Sequence, residues 1–322
     1  MNLRQAQLRR LVENSFPEIQ NFHEKVTVRY EKLENAKSFW SEIYLAHLKV
    51  HDGGEESIPE TVFIKVPRIS ENVLRCEDEE AVDELQNVLK ENLFYKHFQY
   101  GIIPNFPFPK VYFTEDVKEE GTGGIVAENL SDKVYAVEHI PSLNHEQVLR
   151  LMEALAGFHS HLMQRKDKSY VESFVEGAHG RETNAPGMQK MMFEEALTLE
   201  NVSPEVFGHK KRIHGIKWAF DYEKKNKATK QAISEIPGII CHADLNVTNM
   251  LWKKDSATHE IGAIIDYQML FIGSIAFDII RVLTLGLSRE EIDGRKRSVI
   301  WSTTTKRFRS CSMDRLRLVW IS

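Results

Sequence analysis

Hydrophobic and polar positions follow two different periods along this chain, and the change from one to the other organises it. In "KVTVRY", in "FWSEIYLAHLKV" and in "TVFIKV" apolar residues alternate with polar ones, the period of half-buried strands. The last two flank the turn-rich "HDGGEESIPE", so residues 39–66 are expected to form an antiparallel hairpin with a loose loop. Ahead of them, residues 2–22 read as a short amphipathic helix with Leu3, Leu8, Leu11 and Val12 on its packing side. From Ala81 to Tyr100 the apolar positions Val82, Leu85, Leu89 and Leu93 recur every three or four residues, predicting one helix against the sheet. "FPFPKVYF" and "GGIVAENLSD" supply two more short strands, the second ending in polar residues suited to a crossover.

Beyond residues 129–136 the pattern becomes helical. "HEQVLRLMEALAGFHSHLM" puts Val148, Leu151, Met152, Leu155, Phe158, His159 and Leu162 on one broad face. Residues 163–235 are polar and weakly periodic and are expected to cap an acceptor site. The division this predicts is a small lobe over residues 1–130 and a larger, mostly helical lobe over 131–322.

Composition narrows the possible partners. With 42 Lys plus Arg against 47 Asp plus Glu, the formal charge of the 322 residues is -5, which gives no general attraction to nucleic acid or an anionic membrane. Phosphate binding, if present, must be local. Cys76, Cys241 and Cys311 are odd in number and widely spaced, which favours neither disulfides nor a zinc site and fits a reducing compartment. The start "MNLRQAQLRRLVENSF" lacks the apolar core of a secretory signal, and no stretch approaches the roughly 20 apolar residues of a membrane span. A soluble, cytoplasmic chain with no membrane partner is expected; the oligomeric state is left open.

The chemistry concentrates in "GIICHADLNVTNMLW". A buried strand runs into His242, Ala243 and Asp244, and Asn249 follows five residues after Asp244, giving H-x-D-x-x-x-x-N. Phosphoryl transfer needs a carboxylate to receive or orient the nucleophile's proton and an oxygen ligand for a metal that neutralises phosphate charge. Asp244 and Asn249 suit these roles. The next apolar strand, "IGAIIDYQ", should pair with "NMLW" and bring Asp266 to the loop as the principal ligand of Mg2+, which prefers oxygen donors. Lys65, on the strand "VFIKVP", and Glu91, on the following helix, have the order and separation of the pair that holds ATP phosphates. Asp278 opens the apolar helix of "GSIAFDIIRVL", where it either orients the loop or serves the helix N-terminus. His242 is read as a hydrogen-bonding support for the loop, since Asp244 already supplies a base. Each residue alone has an ordinary structural explanation, because Asp and Asn favour turns. The ordered set between apolar strands, with a lysine upstream, points to phosphotransfer.

In these segments, together with "ENLFYKHF" and "ALAGFHSHL" and in this order, the chain resembles the aminoglycoside phosphotransferase and choline kinase superfamily over roughly residues 25–290. It looks most like the ecdysteroid-kinase-like, or CHK kinase-like, branch expanded in nematodes. The resemblance implies an α+β, two-lobed protein-kinase-like fold: a small antiparallel sheet lobe with one helix, and a larger, mostly helical lobe. It implies ATP under the small lobe, phosphate contact by Lys65, Asp244 as base, Mg2+ held by Asn249 and Asp266, and adenine bordered by Glu128, Asn129 and Leu130. The implied acceptor is a hydroxyl of a small molecule, steroid-like or an amino alcohol. Two segments depart from the family pattern. "EKLENAKSFWSEIY", in the place of the phosphate-covering loop, lacks its glycines, and the basic tail 294–322 replaces the helices with which the family continues.

A protein kinase is disfavoured, because the loop reads His-Ala-Asp and no A-P-E follows Asp266. A metal-dependent hydrolase would want more His or carboxylate ligands. The remaining alternative is a catalytically impaired kinase-like protein that binds nucleotide or serves as an interaction module.

Overall fold

The computed structural model describes residues 3–34, 40–51, 58–69, 79–103, 105–138, 142–167 and 239–285, with short pieces at 169–171, 174, 193–198, 201–202 and 204. Of the segment 31–44, expected in the place of the phosphate-covering loop, the flanks end β1 and begin β2 while residues 35–39 lie outside the described residues, as do most of the expected acceptor cap and the basic tail.

Five strands, β1 (Val26–Lys32), β2 (Ser41–Val50), β3 (Thr61–Pro67), β4 (Val111–Glu115) and β5 (Gly124–Glu128), form one antiparallel sheet in the order β1-β2-β3-β5-β4. The expected β2–β3 pairing is present, with Ile43 opposite Lys65. Alternation along β3 divides its side chains between two faces: Val62, Ile64 and Val66 are fully buried, while Lys65 points to the other side. Helix α1 (Leu3–Asn14) covers the first face, its Leu8, Leu11 and Val12 packing in one cluster with Val62, Ile64, Val66 and Val126. This helix stops at Asn14 rather than running to residue 22. Pro17 has no N–H for the helical ladder and disfavours helix in the residue before it, so Phe16 and Ile19 reach the same core from turns, ahead of a short helix α2 (Phe22–Lys25).

The helix also grips the β4–β5 turn through polar groups. The Gln7 amide donates to the carbonyls of Thr122 and Gly123 at 3.0 and 2.8 Å, and Arg10 donates to both Glu115 oxygens at 2.9 and 2.7 Å. The turn needs glycine at 123, where φ is +87° and a Cβ would lie 2.4 Å from a Val117 methyl.

Helix α3 (Glu79–His97) carries Glu91 and belongs to a second, larger core. Its Phe94, and Phe98 just after its end, pack there with helix α4 (His145–Gln164) and with the strands that carry the candidate loop. Helix α4 starts at a reciprocal cap: Asn144 accepts from the Gln147 N–H at 2.9 Å, and the Gln147 side chain accepts from the Asn144 N–H at 3.0 Å. Strands β6 (Val134–Ala136), β8 (Met250–Lys253) and β9 (Ile261–Ile264) form a second antiparallel sheet in the order β6-β8-β9. A third pair joins β7 (Ile239–Cys241) to β10 (Phe271–Gly273), and helix α5 (Ala276–Leu285) follows. The α+β fold class is as expected: an antiparallel sheet with its helix, followed by a larger core to which helices, short strands and loops all contribute. No helix among the described residues is long and apolar enough to cross a membrane.

Leu11 is fully buried between α1, the sheet and the β4–β5 turn. Leu11→Ala should therefore lower stability by about 2–5 kcal/mol, read from the midpoint of urea unfolding.

Candidate functional site

The site begins where β7, buried at all three residues, delivers the chain into the loop His242–Asn246. Ala243 is held at φ 67°, an unfavourable left-handed backbone for a residue with a Cβ. The compensation comes from Asp278, in the first turn of α5. One of its carboxylate oxygens accepts the His242 N–H and the other the Ala243 N–H, both at 2.9 Å. Burial alone would favour the neutral acid. The nearby His159, whose Nε2 lies 3.4 Å away, together with His242 and the loop N–H, instead holds the Asp278 carboxyl below its ordinary range. Of the two roles open to Asp278 from its position, these contacts are those of a loop-orienting group.

The His242 ring is fully buried. Nε2 lies 3.0 Å from the Ile265 carbonyl, which only a ring N–H can satisfy, and Nδ1 accepts the Asp244 N–H at 3.3 Å. Both nitrogens are thus used in one neutral tautomer, and burial lowers the ring's proton affinity. This is the geometry of a support, tying the loop to the chain segment that leads into Asp266.

Asp244 is the most connected side chain of the loop. Oδ2 accepts from Asn246 at 3.1 Å and from the Asn249 amide at 3.0 Å, and Oδ1 accepts from Arg281 at 2.8 Å. The Asn249 amide nitrogen also donates to the Asp244 carbonyl at 2.9 Å, which fixes the side chain's orientation. Its Oδ1 carries no hydrogen bond among the described residues. An amide turned this way offers an oxygen, the atom a hard cation requires. A one-turn 3-10 helix, Val247–Asn249, capped by the Asn246 side chain, carries the chain from this loop into β8.

Strand β9 returns beside β8, and Ile265 donates its N–H to the Asn249 carbonyl at 3.0 Å. Asp266 follows at once, at φ 68°, so its side chain leaves the strand direction before the turn Tyr267–Met269. Its Oδ1 accepts from the Lys65 ammonium at 2.9 Å, and the same ammonium donates to Glu91 at 2.7 Å. Burial opposes charge on Lys65, but Glu91 and then Asp266 outweigh it and raise the lysine's proton affinity, so the ammonium is firmly charged. Burial, with Asp266 close by, pushes the Glu91 carboxyl upward against the opposing pull of Lys65. Tyr267 completes the link: its ring stacks on Phe94 with centroids 3.7 Å apart and planes 8° from parallel, one helical turn from Glu91.

Glu128, Asn129 and Leu130 lie at the end of β5, beside the strand that carries Lys65. Their side chains and carbonyls are partly spent locally. Glu128 accepts the Lys110 N–H at 2.8 Å, Asn129 donates to Thr61 at 3.1 Å, and the Leu130 carbonyl accepts from Lys133 and Val134.

The structure therefore joins Lys65, Glu91, Asp266, Asn249, Asp244, His242 and Asp278 through one continuous series of contacts. Two residues that contact this series, His159 on Asp278 and Arg281 on Asp244, were not singled out from sequence. His159 reads there as part of an apolar helix face, and Arg281 has as its only mark a lone charge three residues after Asp278, the spacing that puts both on one side of a helix.

Comparison with known proteins adds family and fold. Residues 58–308 match the family model DUF1679, described as "Uncharacterized oxidoreductase dhs-27". A Caenorhabditis elegans protein, "Uncharacterized kinase-like protein D1044.1", is 33% identical over 293 residues, covering 87% of this chain and 74% of that protein. Two solved structures share the fold at low identity. The GDP and kanamycin complex of APH(2")-IIia has a TM-score of 0.50 at 14% identity, covering 95% of this chain and 82% of that one. The GDP complex of wild-type aminoglycoside 2'-phosphotransferase-IIIa has a TM-score of 0.51 at 12% identity, covering 96% and 83%.

Asp278→Asn exchanges a carboxylate oxygen for an NH2 group facing an N–H donor. It should destabilise the protein by about 1.5–3 kcal/mol, the range for a hydrogen bond to a charged group. Because the folded-state value of Asp278 is depressed, its contribution is complete above the unfolded value of about 3.9 and is lost as pH falls through the lower folded one. The stability gap between wild type and Asp278→Asn should stay constant from about pH 8 to 5 and narrow below about pH 4, measured by urea unfolding.

Proposed function

The chain belongs to the DUF1679 family and has the fold of the aminoglycoside phosphotransferases, and from that premise we propose that it transfers a phosphoryl group from ATP to a hydroxyl of a small molecule. The observation that supports this reading is the series that runs from Lys65 to Asp266 by an ion pair, from the adjacent Ile265 N–H to the Asn249 carbonyl, and from the Asn249 amide to Asp244, which brings near one another groups that phosphoryl transfer requires. The family description carries the word oxidoreductase, but the Rossmann-type dinucleotide fold rests on a parallel sheet, whereas the three sheets among the described residues are antiparallel.

In this reading ATP lies between residues 1–130 and 131–322, with its base bordered by Glu128, Asn129 and Leu130. Lys65, oriented by Glu91, meets the phosphates. Asn249 and Asp266 would hold Mg2+, and their oxygen-only donor set fits that ion; when bound, it neutralises phosphate charge. The acceptor hydroxyl hydrogen-bonds to the Asp244 carboxylate, which takes its proton as the hydroxyl oxygen bonds to the γ-phosphorus. The bond from that phosphorus to the β–γ bridging oxygen breaks, and ADP leaves. His242 and Asp278 act indirectly, by holding the loop in its left-handed turn. The acceptor is a steroid-like or an amino alcohol, and the cytoplasm, reducing and rich in ATP, is the fitting compartment for a chain with a buried free thiol at Cys241.

Turnover of ATP with Mg2+ across a panel of steroid and amino-alcohol acceptors tests the reading. Acceptor-dependent turnover should fall by roughly 100- to 10,000-fold in Asp244→Ala. It should be abolished in Asp266→Ala, while both variants melt cooperatively. Turnover that is independent of the acceptor or unchanged by Asp266→Ala would overturn the proposal. In Lys65→Met, nucleotide binding followed by calorimetry should weaken by at least about tenfold, because a buried charge contact to phosphate is removed.

A further inference from the structure

The carboxylates around the loop differ in what already neutralises them, and that difference bears on the acceptor. Glu91 and Asp266 share the Lys65 ammonium. Asp278 is buried on two loop N–H groups beside His159. Asp244, the carboxylate the acceptor hydroxyl must approach, is paired with the Arg281 guanidinium at 2.8 Å. Arg281 and Asp278 leave α5 three residues apart on one side, so one helix face holds the loop's backbone with a carboxylate and the loop's central side chain with a cation.

This ion pair is half-exposed, with the Arg281 side chain at 36% and Asp244 at 24%, so the guanidinium is not sealed behind the loop. Only its Nη2 is used, on Asp244; Nε is buried without a partner, and Nη1 has none among the described residues. Arginine cannot lose its charge, and its planar fork keeps donors free for a second oxygen when one arm is bound. A molecule placing its hydroxyl on Asp244 therefore brings its neighbouring substituent within reach of a fixed positive charge with unused N–H donors. An ammonium there is repelled and finds Asp244 already matched, whereas a hydroxyl, carbonyl or carboxylate oxygen accepts a hydrogen bond.

We propose that Arg281 is a specificity-determining residue: it selects an acceptor that presents a neutral or anionic oxygen group, and no ammonium, beside the hydroxyl to be phosphorylated. This rests on the phosphotransfer reading above and decides between its two acceptor classes against the amino alcohols.

Three-carbon alcohols differing only in the substituent beside the hydroxyl supply the probes: propane-1,2-diol, lactate and 1-amino-2-propanol. Their binding to wild-type protein, Arg281→Gln and Arg281→Lys would be measured by calorimetry, alongside Mg2+-ATP turnover and a thermal melt of each variant. Wild type should favour the diol and lactate over the amine by roughly tenfold, the scale of one like-charge contact at a partly shielded site. Arg281→Gln should bring the three within about twofold of one another, and Arg281→Lys, which retains the charge, should preserve the order. Preference for the amine, binding of none of the three, or an order unchanged in Arg281→Gln overturns the inference. Selective binding without turnover supports the role of Arg281 and contradicts the phosphotransfer reading instead.

Discussion

One ammonium group holds the two halves of the site in register. Lys65 is only 13% exposed and lies between Glu91 at 2.7 Å and Asp266 at 2.9 Å, so a sheet strand, a helix and the exit of a strand 201 residues further on meet at one charge. An unpaired charge in such a place would cost several kcal/mol, and a single carboxylate would leave the ammonium's other protons unmatched. The paired arrangement is low in energy only when all three elements are in place. It therefore works as a positional check on the fold as well as a site feature.

The apolar packing beneath this contact is organised to permit it. Alternation on β3 sends Val62, Ile64 and Val66 into the core under α1 and leaves Lys65 on the opposite face. Helix α3 reaches that face with Glu91 while Phe94, one turn on, stacks on Tyr267 directly after Asp266. A second system, on the far side of Asn249, holds the loop. Asp278 caps two backbone N–H groups around the strained Ala243, and His242 ties the loop to Ile265. The two systems meet through the Asn249 carbonyl and the Ile265 N–H, a backbone hydrogen bond that side-chain substitution does not remove.

Much of this was legible in the sequence, because the signals are local. Period-two runs mark β2 and β3, the apolar face from Val148 to Leu162 marks α4, and H-x-D-x-x-x-x-N with a following strand Asp locates the loop and Asp266. Less legible were features set by tertiary contact. A helix extrapolated to residue 22 stops at Asn14, since Pro17 outweighs the continuing apolar spacing through Phe16 and Ile19. His159 is indistinguishable by period from its apolar neighbours and becomes polar in role only when Asp278 arrives 119 residues later. Arg281 looks like the solvated edge of a helix, and its partner Asp244 is supplied by a loop whose backbone conformation no residue type announces. Asp278 shows the intermediate case, where position narrowed the role to two and the hydrogen bonds identified the contact.

The most direct measurement of the central claim follows the phosphoryl group itself. ATP labelled in its γ-phosphate would be incubated with the protein, Mg2+ and a mixture of small hydroxyl compounds, and the products separated and read by mass spectrometry. The account predicts label in a phosphomonoester of an organic acceptor, formed with one equivalent of ADP. Label found only in intact ATP or in free inorganic phosphate would contradict it.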